Sequence, residues 1–301
     1  MAGTELLFRG EGRPAAQASL GRISSLAVDS QGRIVFADPY YHVVFRVERD
    51  GTIQIIAGNG VRGISGDGGQ AKAAALNTPN GVAYDAAGNL YIADSRNHRI
   101  RKVTAAGIIS TSVGTGQAGF DGDGGQASSA KLNFPISLTV DRAGNLFIND
   151  RGNGRIRRVA ADSNVIFTAA GNGRNTSGTD SASAVNSSFS DAEGITTDSD
   201  GNLYVAELTG HKVRKVTPQG VISTIAGTGR DGFSGDNSLG INSQVNSPAG
   251  LTFDAQGALL IVDAGNGRIR RLDQRSGVIT TIAGNGPGPN GLSPDGTPAN
   301  Q

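Results

Sequence analysis

The stretch "NGVAYDAAGNLYIADSRNHRIRKV", from Asn80 to Val103, is one of five related copies that follow one another along the chain. The others are "SSLAVDSQGRIVFADPYYHVVFRV" from Ser24, "ISLTVDRAGNLFINDRGNGRIRRV" from Ile136, "EGITTDSDGNLYVAELTGHKVRKV" from Glu193 and "AGLTFDAQGALLIVDAGNGRIRRL" from Ala249. Their equivalent aspartates, which set a period of 56 or 57 residues, are Asp29, Asp85, Asp141, Asp198 and Asp254. Such a fixed period indicates a repeat architecture in which each copy is one supersecondary unit.

Each copy predicts four short strands joined by tight turns. In the second copy these are Val82–Tyr84, Leu90–Ala93, Arg99–Val103 and the stretch "IISTSVG" from Ile108. The first turn, "DAAGN", has Asp85 at its first position and Gly88 at its fourth, which is typical of a type I turn. Four antiparallel strands repeated at this spacing predict an all-β propeller, in which blades stack because one blade alone cannot bury both faces.

An acid and a base flank the loop between the second and third predicted strands. In the second copy they are Asp94 and Arg99, and the equivalent pairs are Asp150 with Arg155, Glu207 with Lys212 and Asp263 with Arg268. We expect these side chains to form a cross-strand ion pair that contributes about 0.2–1 kcal/mol. The first copy has Asp38 opposite Val43 and lacks the pair.

The second copy, with the preceding "SGDGGQAKAAALNTPNGVAYD", resembles the bacterial NHL repeat, and the similarity recurs five times over nearly the whole chain. The resemblance implies a β-propeller, which commonly has six blades in that family. NHL propellers mostly act as binding or scaffold domains, and some relatives are enzymes. The resemblance therefore predicts the fold but does not predict a single activity.

We expect one propeller domain over residues 1–301, with blade cores at 24–58, 80–114, 136–171, 193–227 and 249–284 and a leftover linker or tail at 285–301. The stretch "TELLFRGEG" from Thr4 is similar to "TIQIIAGNG" from Thr52, so an extra outer strand is expected before the first blade. Three arrangements stay open. The chain is part of a six-bladed ring, which we favour, or closes with five blades, or associates with itself through open blade edges.

Composition excludes several classes of function. The 301 residues carry a formal net charge of +1, which does not favour a polyanionic partner for the whole surface. The absence of cysteine excludes disulfides, thiol nucleophiles and thiolate metal sites. No secretory leader and no run near 18 apolar residues is visible, so we expect no membrane partner, and the sequence assigns no compartment.

Two glycine-rich motifs lie between the copies. Gly58, Gly60 and Gly63 match the G-x-G-x-x-G pattern of dinucleotide sites, but the pattern recurs as "GTGQAG" from Gly114 and "GTGRDG" from Gly227. The run "QAKAAAL" is too short for a crossover helix, so we predict structural linkers. The stretch "DGDGG" from Asp121 could wrap a calcium ion, but a solvated turn is the favoured prediction.

Candidate site residues lie where one copy differs from the others. Our predicted partner-binding residues are Tyr40 and Tyr41 in the first copy, Phe134 beside the third and Glu193 in the fourth. Tyrosines on exposed loops are good interface anchors. The favoured function is a non-catalytic binding or scaffold propeller that presents loops and its channel mouth to a protein or small ligand, with no catalytic residue and no cofactor assigned.

Two alternatives stay open. The first is a metal-dependent hydrolase, lactonase or lyase, with calcium or another divalent metal held at the channel mouth by Glu193, Asn80 and Asn149. The three histidines occupy equivalent loop positions, so we expect no catalytic cluster of them. The second alternative is RNA binding by the basic runs such as "RIRK" from Arg99, although we expect these runs to pair with acids of the repeat.

Overall fold

The computed structural model of the chain describes residues 8–180, 183–286 and 298–299. Five antiparallel sheets follow one another along the chain, and within each sheet the four long strands are ordered as in the sequence. The protein is therefore an all-β, five-bladed propeller of four-stranded sheets, as the repeat predicts. No helix among the described residues is long and apolar enough to cross a membrane.

The strands are numbered in chain order. Blade 1 contains β1 (Ser25–Val28), β2 (Ile34–Asp38), β3 (Val43–Val47) and β4 (Ile53–Ala57). Blade 2 contains β5 (Pro79–Tyr84), β6 (Leu90–Asp94), β7 (Arg99–Val103) and β8 (Ile109–Val113). Blade 3 contains β9 (Pro135–Val140), β10 (Leu146–Asp150), β11 (Arg155–Val159) and β12 (Ile166–Ala170). Blade 4 contains β13 (Ala192–Thr197), β14 (Leu203–Glu207), β15 (Lys212–Val216) and β16 (Ile222–Ala226). Blade 5 contains β18 (Pro248–Phe253), β19 (Leu259–Asp263), β20 (Arg268–Leu272) and β21 (Val278–Ala283), and the two-residue β17 (Ser238–Leu239) pairs with β21.

Strand limits in blade 2 agree closely with the sequence pattern. β7 matches the prediction, and β5 begins three residues earlier than expected, at Pro79, because a register shift between Pro79 and Val82 lets pairing with β6 continue. The predicted turn is present: the Gly88 amide donates to the Asp85 carbonyl oxygen at 3.0 Å, with Gly88 at a φ of +80°. The extra strand expected from Thr4 falls mostly outside the described residues, and Phe8 onward does not continue it as a strand.

The chain divides into two compact units. One contains the described residues up to Asn153 together with Arg157–Thr168, and the other contains Gly154–Ile156 and the described residues from Ala169. In the first unit β5 contacts both β1 and β9, and in the second unit β13 contacts β18. The first strands of successive blades are thus neighbours within each unit.

The linkers between blades, which we call straps, run from the outer strand of one blade to the outer hairpin of the next. In the strap before blade 2 the Gly58 amide donates to Ala71 O, and the Ala71 amide donates to Gly107 O in the β7–β8 turn. A single 3₁₀ turn, Ala71–Ala73, is the only helix of the described strap residues 58–78. Gly58 has a φ of +90°, and a Cβ there would collide with the His42 carbonyl oxygen. The glycine pattern therefore serves backbone packing, as the structural interpretation predicts.

Apolar faces of successive blades form the core. Val35, Ala37 and Val44 of blade 1 pack in one cluster with Leu90 and Ile92 of blade 2, and all five are almost completely buried. Burial of each large aliphatic side chain stabilises the fold by about 1.5–3 kcal/mol. The core is thus divided among blade-to-blade interfaces, each of which needs both neighbours.

Four fully buried arginines hold the straps on the blades. Arg101 on β7 places Nη1 3.4 Å from Asp94 Oδ2 at the end of β6 and Nη2 2.6 Å from Asp67 Oδ1 in the strap. The same triads are Arg157 with Asp150 and Asp123, Arg214 with Glu207 and Asp180, and Arg270 with Asp263 and Asp236. A strap carboxylate and a strand carboxylate thus share one buried cation in each of blades 2 to 5.

The prediction that Asp94 forms an ion pair with Arg99 is wrong, although the predicted register of β6 and β7 is confirmed. Asp94 and Arg99 are opposite each other, but the ion pair forms with Arg101, two residues further along β7. The Arg99 guanidinium instead donates to Thr115 O at 2.6 Å. The strap explains the difference, because its second carboxylate lies over Arg101.

Arg101→Met is expected to lower the free energy of unfolding by about 3–5 kcal/mol, because it leaves the carboxylate of Asp94 buried without its cation. Arg96→Met, at an exposed arginine of the neighbouring loop, is the control and should change it by about 0.5 kcal/mol or less. Equilibrium unfolding in urea followed by circular dichroism gives both values. Equal effects of the two substitutions would contradict the role of the triad.

Candidate functional site

The predicted site residues lie at one end of their blades, where the loop between the second and third strands meets a strap. We call this the loop end. In blade 2 the contact is made by Asn97, whose Nδ2 donates to Gly63 O of the strap at 2.8 Å, and Asn153 and Asn266 make the same contact in their own blades. The loops are therefore held in place by the straps.

Histidines connect the loop end of one blade to the next blade. His98 Nδ1 accepts the backbone N–H of Phe134 at 3.1 Å, immediately before β9. His42 accepts from Thr78 at 3.1 Å and His211 from Ser247 at 3.2 Å in the same way. An imidazole nitrogen that accepts a hydrogen bond carries no proton, so these rings are held with Nδ1 unprotonated. The histidines are structural parts of the repeat.

Gly154 stands at the histidine position in blade 3, and the following strap compensates for it. The backbone N–H of Asp191, which is equivalent to that of Phe134, donates to Asn175 Oδ1 at 2.6 Å. The strap "NTSGTDSASAVNSSFSD" therefore departs from the repeat partly because Asn175 replaces the missing ring. It also keeps the strap acid, Asp180, which pairs with Arg214 and Thr224.

Blade 1 has a different loop end. Phe45 stands where the other blades have the buried arginine, so the fully buried Asp38 has no guanidinium at that position. Asp38 instead accepts backbone N–H groups of Gly21 at 2.7 Å, Tyr40 at 3.0 Å and Tyr41 at 3.2 Å. Backbone donors thus satisfy this carboxylate and fix the path of the tyrosine loop.

The two tyrosines of this loop stack in a row with Phe8. The ring centroids of Tyr40 and Tyr41 are 5.1 Å apart, those of Tyr41 and Phe8 are 5.7 Å apart, and Phe8 lies 4.5 Å from Phe45. Tyr40 is 55% exposed, whereas Tyr41 is half-buried beneath it. Tyr40 is therefore an exposed ring on a supported, backbone-anchored loop.

The other predicted residues are placed separately. Phe134 is half-buried at a φ of +51° and is held by His98. Asn80 on β5 donates from Nδ2 to Ser95 Oγ at 2.9 Å, and its carbonyl oxygen accepts from Ser24 Oγ at 2.8 Å. Asn149 is fully buried on β10.

Glu193 is half-buried on β13, in the second unit, whereas Asn80 and Asn149 belong to the first. Convergence of these three residues on a metal therefore stays a prediction. Among the described residues, no group of three or more His, Cys, Asp or Glu side chains is placed to hold a metal ion.

The "DGDGG" turn carries internal contacts. Asp123 Oδ1 lies 2.7 Å from Arg157 Nη2, and its Oδ2 accepts from Thr168 Oγ1 at 2.7 Å. Asp121 Oδ1 accepts the Gly122 amide at 2.7 Å. Asp123 is thus a strap acid of the arginine triad, a role that sequence reasoning missed. The signal was visible, because each strap acid precedes its arginine by 34 residues.

The pKa values of the triad acids shift in opposite directions in the strand and in the strap. Burial raises the pKa of Asp150 to about 6 and also raises those of Asp94 and Glu207. For Asp67, burial would raise the pKa, but hydrogen bonds from Thr111 and Arg101 and the charge of Arg101 together lower it. The exposed strap acid is therefore the carboxylate that stays charged most readily beside the arginine.

A shallow polar hollow in the strap before blade 4 was also missed by sequence reasoning. Its lining consists of hydroxyl, amide and backbone groups, contributed by Ser177, Gly178, Thr179, Ser183, Asn186, Ser187 and Ser188. The Ser187 hydroxyl donates to Thr179 O at 3.2 Å across it. The hollow offers hydrogen bonds but no charged group among these residues.

His98→Gly, which installs the residue found at this position in blades 3 and 5, should destabilise the protein more at neutral pH than at acidic pH. Burial lowers the pKa of His98 below 6.5, so the unfolded chain takes up a proton first as the pH falls. The stability contributed by the neutral ring is present above about pH 6.5 and is lost on acidification.

Urea unfolding of both proteins between about pH 7.5 and 5.5 tests this. The difference in the free energy of unfolding between wild type and His98→Gly should decrease on acidification, by less than about 1 kcal/mol because the ring is partly exposed. Arg96→Gly in the same loop is the control. Its difference from the wild type in the free energy of unfolding should not depend on pH. A pH-independent difference for His98→Gly as well would show that burial does not lower the pKa of the ring.

Comparisons with known proteins agree with this fold. A model of the teneurin NHL domain matches residues 62–119. Mouse teneurin-4 is 29% identical over 297 residues, covering 85% of this chain and 10% of teneurin-4, and bovine NHL repeat-containing protein 2 is 28% identical over 286 residues, covering 84% and 39%. The chain thus spans well under half the length of these relatives.

Solved structures also resemble it. A catalytically inactive virginiamycin B lyase from Staphylococcus aureus with quinupristin has a TM-score of 0.55 at 17% identity, covering 88% of this chain and 71% of that chain. A gluconolactonase from Xanthomonas campestris has a TM-score of 0.58 at 16% identity, covering 87% and 76%. At this identity the likeness shows the fold alone. The five matching repeats and their four-stranded sheets make the chain an NHL-repeat β-propeller.

Proposed function

We propose that the protein is a non-catalytic binding or scaffold propeller that presents the loop end of blade 1 to a protein or a small ligand. The observation that carries the proposal is the row of Phe8, Tyr41 and Tyr40, with Tyr40 exposed at its tip. The bacterial type of the repeat stays a prediction from its sequence.

The repeat residues that could carry chemistry have structural contacts. The central arginine of each basic run is fully buried between two carboxylates in blades 2 to 5. The histidines accept backbone amides of the next blade. Residues that depart from the repeat are therefore better candidates for function, and among the described residues Tyr40 of the tyrosine loop is the most exposed aromatic side chain.

The physical properties of this loop suit binding. Loops on a rigid scaffold commonly carry recognition, and tyrosine combines a large apolar ring with a hydroxyl at little cost in conformational entropy. Tyr41 supports Tyr40 edge-on, and Asp38 fixes the backbone of both, so little ordering is needed on binding.

The enzymatic alternative rests on the similarity to a lyase and a gluconolactonase, together with Glu193, Asn80 and Asn149. The binding proposal expects no change in the thermal midpoint with calcium, zinc or chelator. A rise that Glu193→Ala abolishes would favour the metal-dependent enzyme, because a ligand that binds only the native state stabilises it.

RNA binding is the second alternative. Filter binding of single-stranded RNA at several salt concentrations tests it, and salt-dependent retention would support it. Burial of the central arginines in ion pairs leaves fewer free cations in the basic runs than their sequence suggests.

Tyr40→Ala is expected to weaken binding of the true partner by about tenfold or more, as loss of a central aromatic anchor does. The control is Phe167→Ala on β12, since Phe167 is a comparably exposed aromatic, 44% exposed, away from the loop end. Proteins and metabolites retained by the immobilised wild type are identified, and their Kd values for all three proteins are measured by calorimetry. Equal affinity of every ligand for wild type and Tyr40→Ala would contradict the proposed site.

A further inference from the structure

Three exposed arginines lie at the loop ends of blades 1 and 2, within the first compact unit. Arg22 precedes β1, Arg62 lies in the strap before blade 2, and Arg96 lies in the loop between β6 and β7. We call these three residues the arginine surface. Among the described residues, none of the three guanidinium groups is paired with a carboxylate, so all three are available to an anionic partner.

The arginine surface is a departure from the repeat. The other blades have uncharged or acidic residues at these positions, namely Thr78, Phe134, Asp191 and Ser247 for Arg22; Ala118, Asn175 and Asp231 for Arg62; and Tyr40, Gly152, Thr209 and Gly265 for Arg96. The buried arginines of the triads, in contrast, recur in four blades. The repeat architecture therefore does not explain these three cations.

Arg22 lies beside the tyrosine loop. The backbone N–H groups of Arg22 and Tyr40 both donate to Asp38 Oδ1, at 3.4 and 3.0 Å. A Cβ on Gly21 would lie 2.6 Å from Tyr40 Cβ, so the chain immediately before Arg22 is in close contact with this tyrosine. The first cation is thus adjacent to the exposed ring.

Hydrogen bonds also connect the tyrosine loop to the loop that carries Arg96. His42, at the end of the tyrosine loop, accepts the Thr78 amide at 3.1 Å. The neighbouring carbonyl oxygen, that of Asn77, accepts the Arg96 amide at 3.1 Å. Two loop ends are therefore held side by side through a short segment of backbone.

The strap that carries Arg62 is attached to the same loop. Asn97, which follows Arg96, donates from Nδ2 to Gly63 O at 2.8 Å, and Arg62 is bridged by its backbone to Leu76. In the described part of the chain the contacts that position these arginines are made by their backbone groups. Their side chains can therefore be changed without loss of those contacts.

The acids of these loops are committed to other contacts. Asp38 is buried against backbone amides, and Asp94 is buried with Arg101. Asp67 in the strap lies 2.6 Å from Nη2 of the same arginine. The charge that this surface presents to a partner is therefore positive.

Aliphatic side chains are exposed next to these cations. Ile23 follows Arg22 and is 47% exposed, and Val61 and Ile64 beside Arg62 are 38% and 48% exposed. Apolar side chains interleaved with cations complement a segment that carries both acidic and apolar side chains. A nucleic-acid site more commonly combines a longer basic stripe with several stacking aromatic rings.

We propose that the arginine surface binds an acidic peptide segment of a partner protein, one that also carries large apolar side chains. Carboxylates of the segment pair with the guanidinium groups, whose planar donors match a carboxylate, and its apolar side chains pack on Ile23, Ile64 and the Tyr40 ring. The inference rests on the proposed binding function and names the chemistry of the partner.

A displayed library of random dodecapeptides, selected against the immobilised full chain, supplies the probes. We expect the enriched peptides to be rich in aspartate and glutamate together with leucine, isoleucine or phenylalanine. Their Kd values, measured by fluorescence anisotropy, should rise from low to physiological ionic strength, because salt screens exposed ion pairs.

Arg22→Gln, Arg62→Gln and Arg96→Gln should each weaken binding of these peptides about two- to fivefold, and the triple substitution about tenfold or more. Arg142→Gln is the matched control, because Arg142 is an exposed arginine in the β9–β10 turn, at the opposite end of blade 3. It removes the same charge and should leave Kd unchanged.

Several results would overturn the inference: no enriched peptide, enriched peptides without an excess of acidic residues, or acidic peptides whose Kd the triple substitution leaves unchanged. If Tyr40→Ala weakens the selected peptides and the triple substitution does not, the inference fails and the proposed function stands. If neither weakens them, both fail. Single-stranded RNA that binds more tightly than every selected peptide, and is lost in the triple variant, would make a nucleic acid the occupant instead.

Discussion

The structure depends on one buried cation shared by two carboxylates. In blades 2 to 5 an arginine with no exposed surface lies between an acid at the end of the second strand and an acid of the incoming strap. Neither carboxylate alone would compensate the desolvation of the guanidinium, but together they surround it with opposite charge. Because the strap acid comes from the chain segment that joins two blades, the triad fixes the path between blades as well as the blade itself. Apolar burial drives the stacking, and each triad holds a strap on the blade that follows it.

The second level of order comes from backbone groups rather than charges. Histidines at a positive φ present Nδ1 to the amide that precedes the next first strand, and Asn175 provides the acceptor where blade 3 has Gly154. This replacement indicates that the position conserves an acceptor for the amide rather than a histidine as such. The strap before blade 4 therefore departs from the repeat sequence partly for structural reasons. That interpretation weakens the case for a functional site in this strap. The loop end of blade 1 is then the stronger candidate.

Much of the fold could be predicted from the sequence, and the failures have physical causes. Local sequence pattern predicts the strand order and the Asp85–Gly88 turn, because the repeat period and the turn residues act over short distances. It also predicts the register that places Asp94 opposite Arg99. The ion pair forms with Arg101 rather than Arg99 because of the strap carboxylate, which local pattern does not reveal. The constant spacing of 34 residues between strap acid and arginine is nevertheless visible in the sequence. The histidine bridges left no such signal, because their partner is a backbone amide that every residue but proline possesses. The exposure of Val262 in blade 5 could not be predicted either, since the equivalent residues Ala37, Ala93 and Ala206 are buried.

The exchange of arginine for Phe45 in blade 1 links the loop end to the architecture. Without the cation, Asp38 takes backbone amides of the tyrosine loop, and the space over β3 is filled by the Phe8 ring. Phe8 in turn supports Tyr41, and Tyr41 supports Tyr40. A single change at one strand position thus accounts for an anchored loop, an aromatic row and an exposed ring. The same change makes blade 1 unable to receive a strap acid.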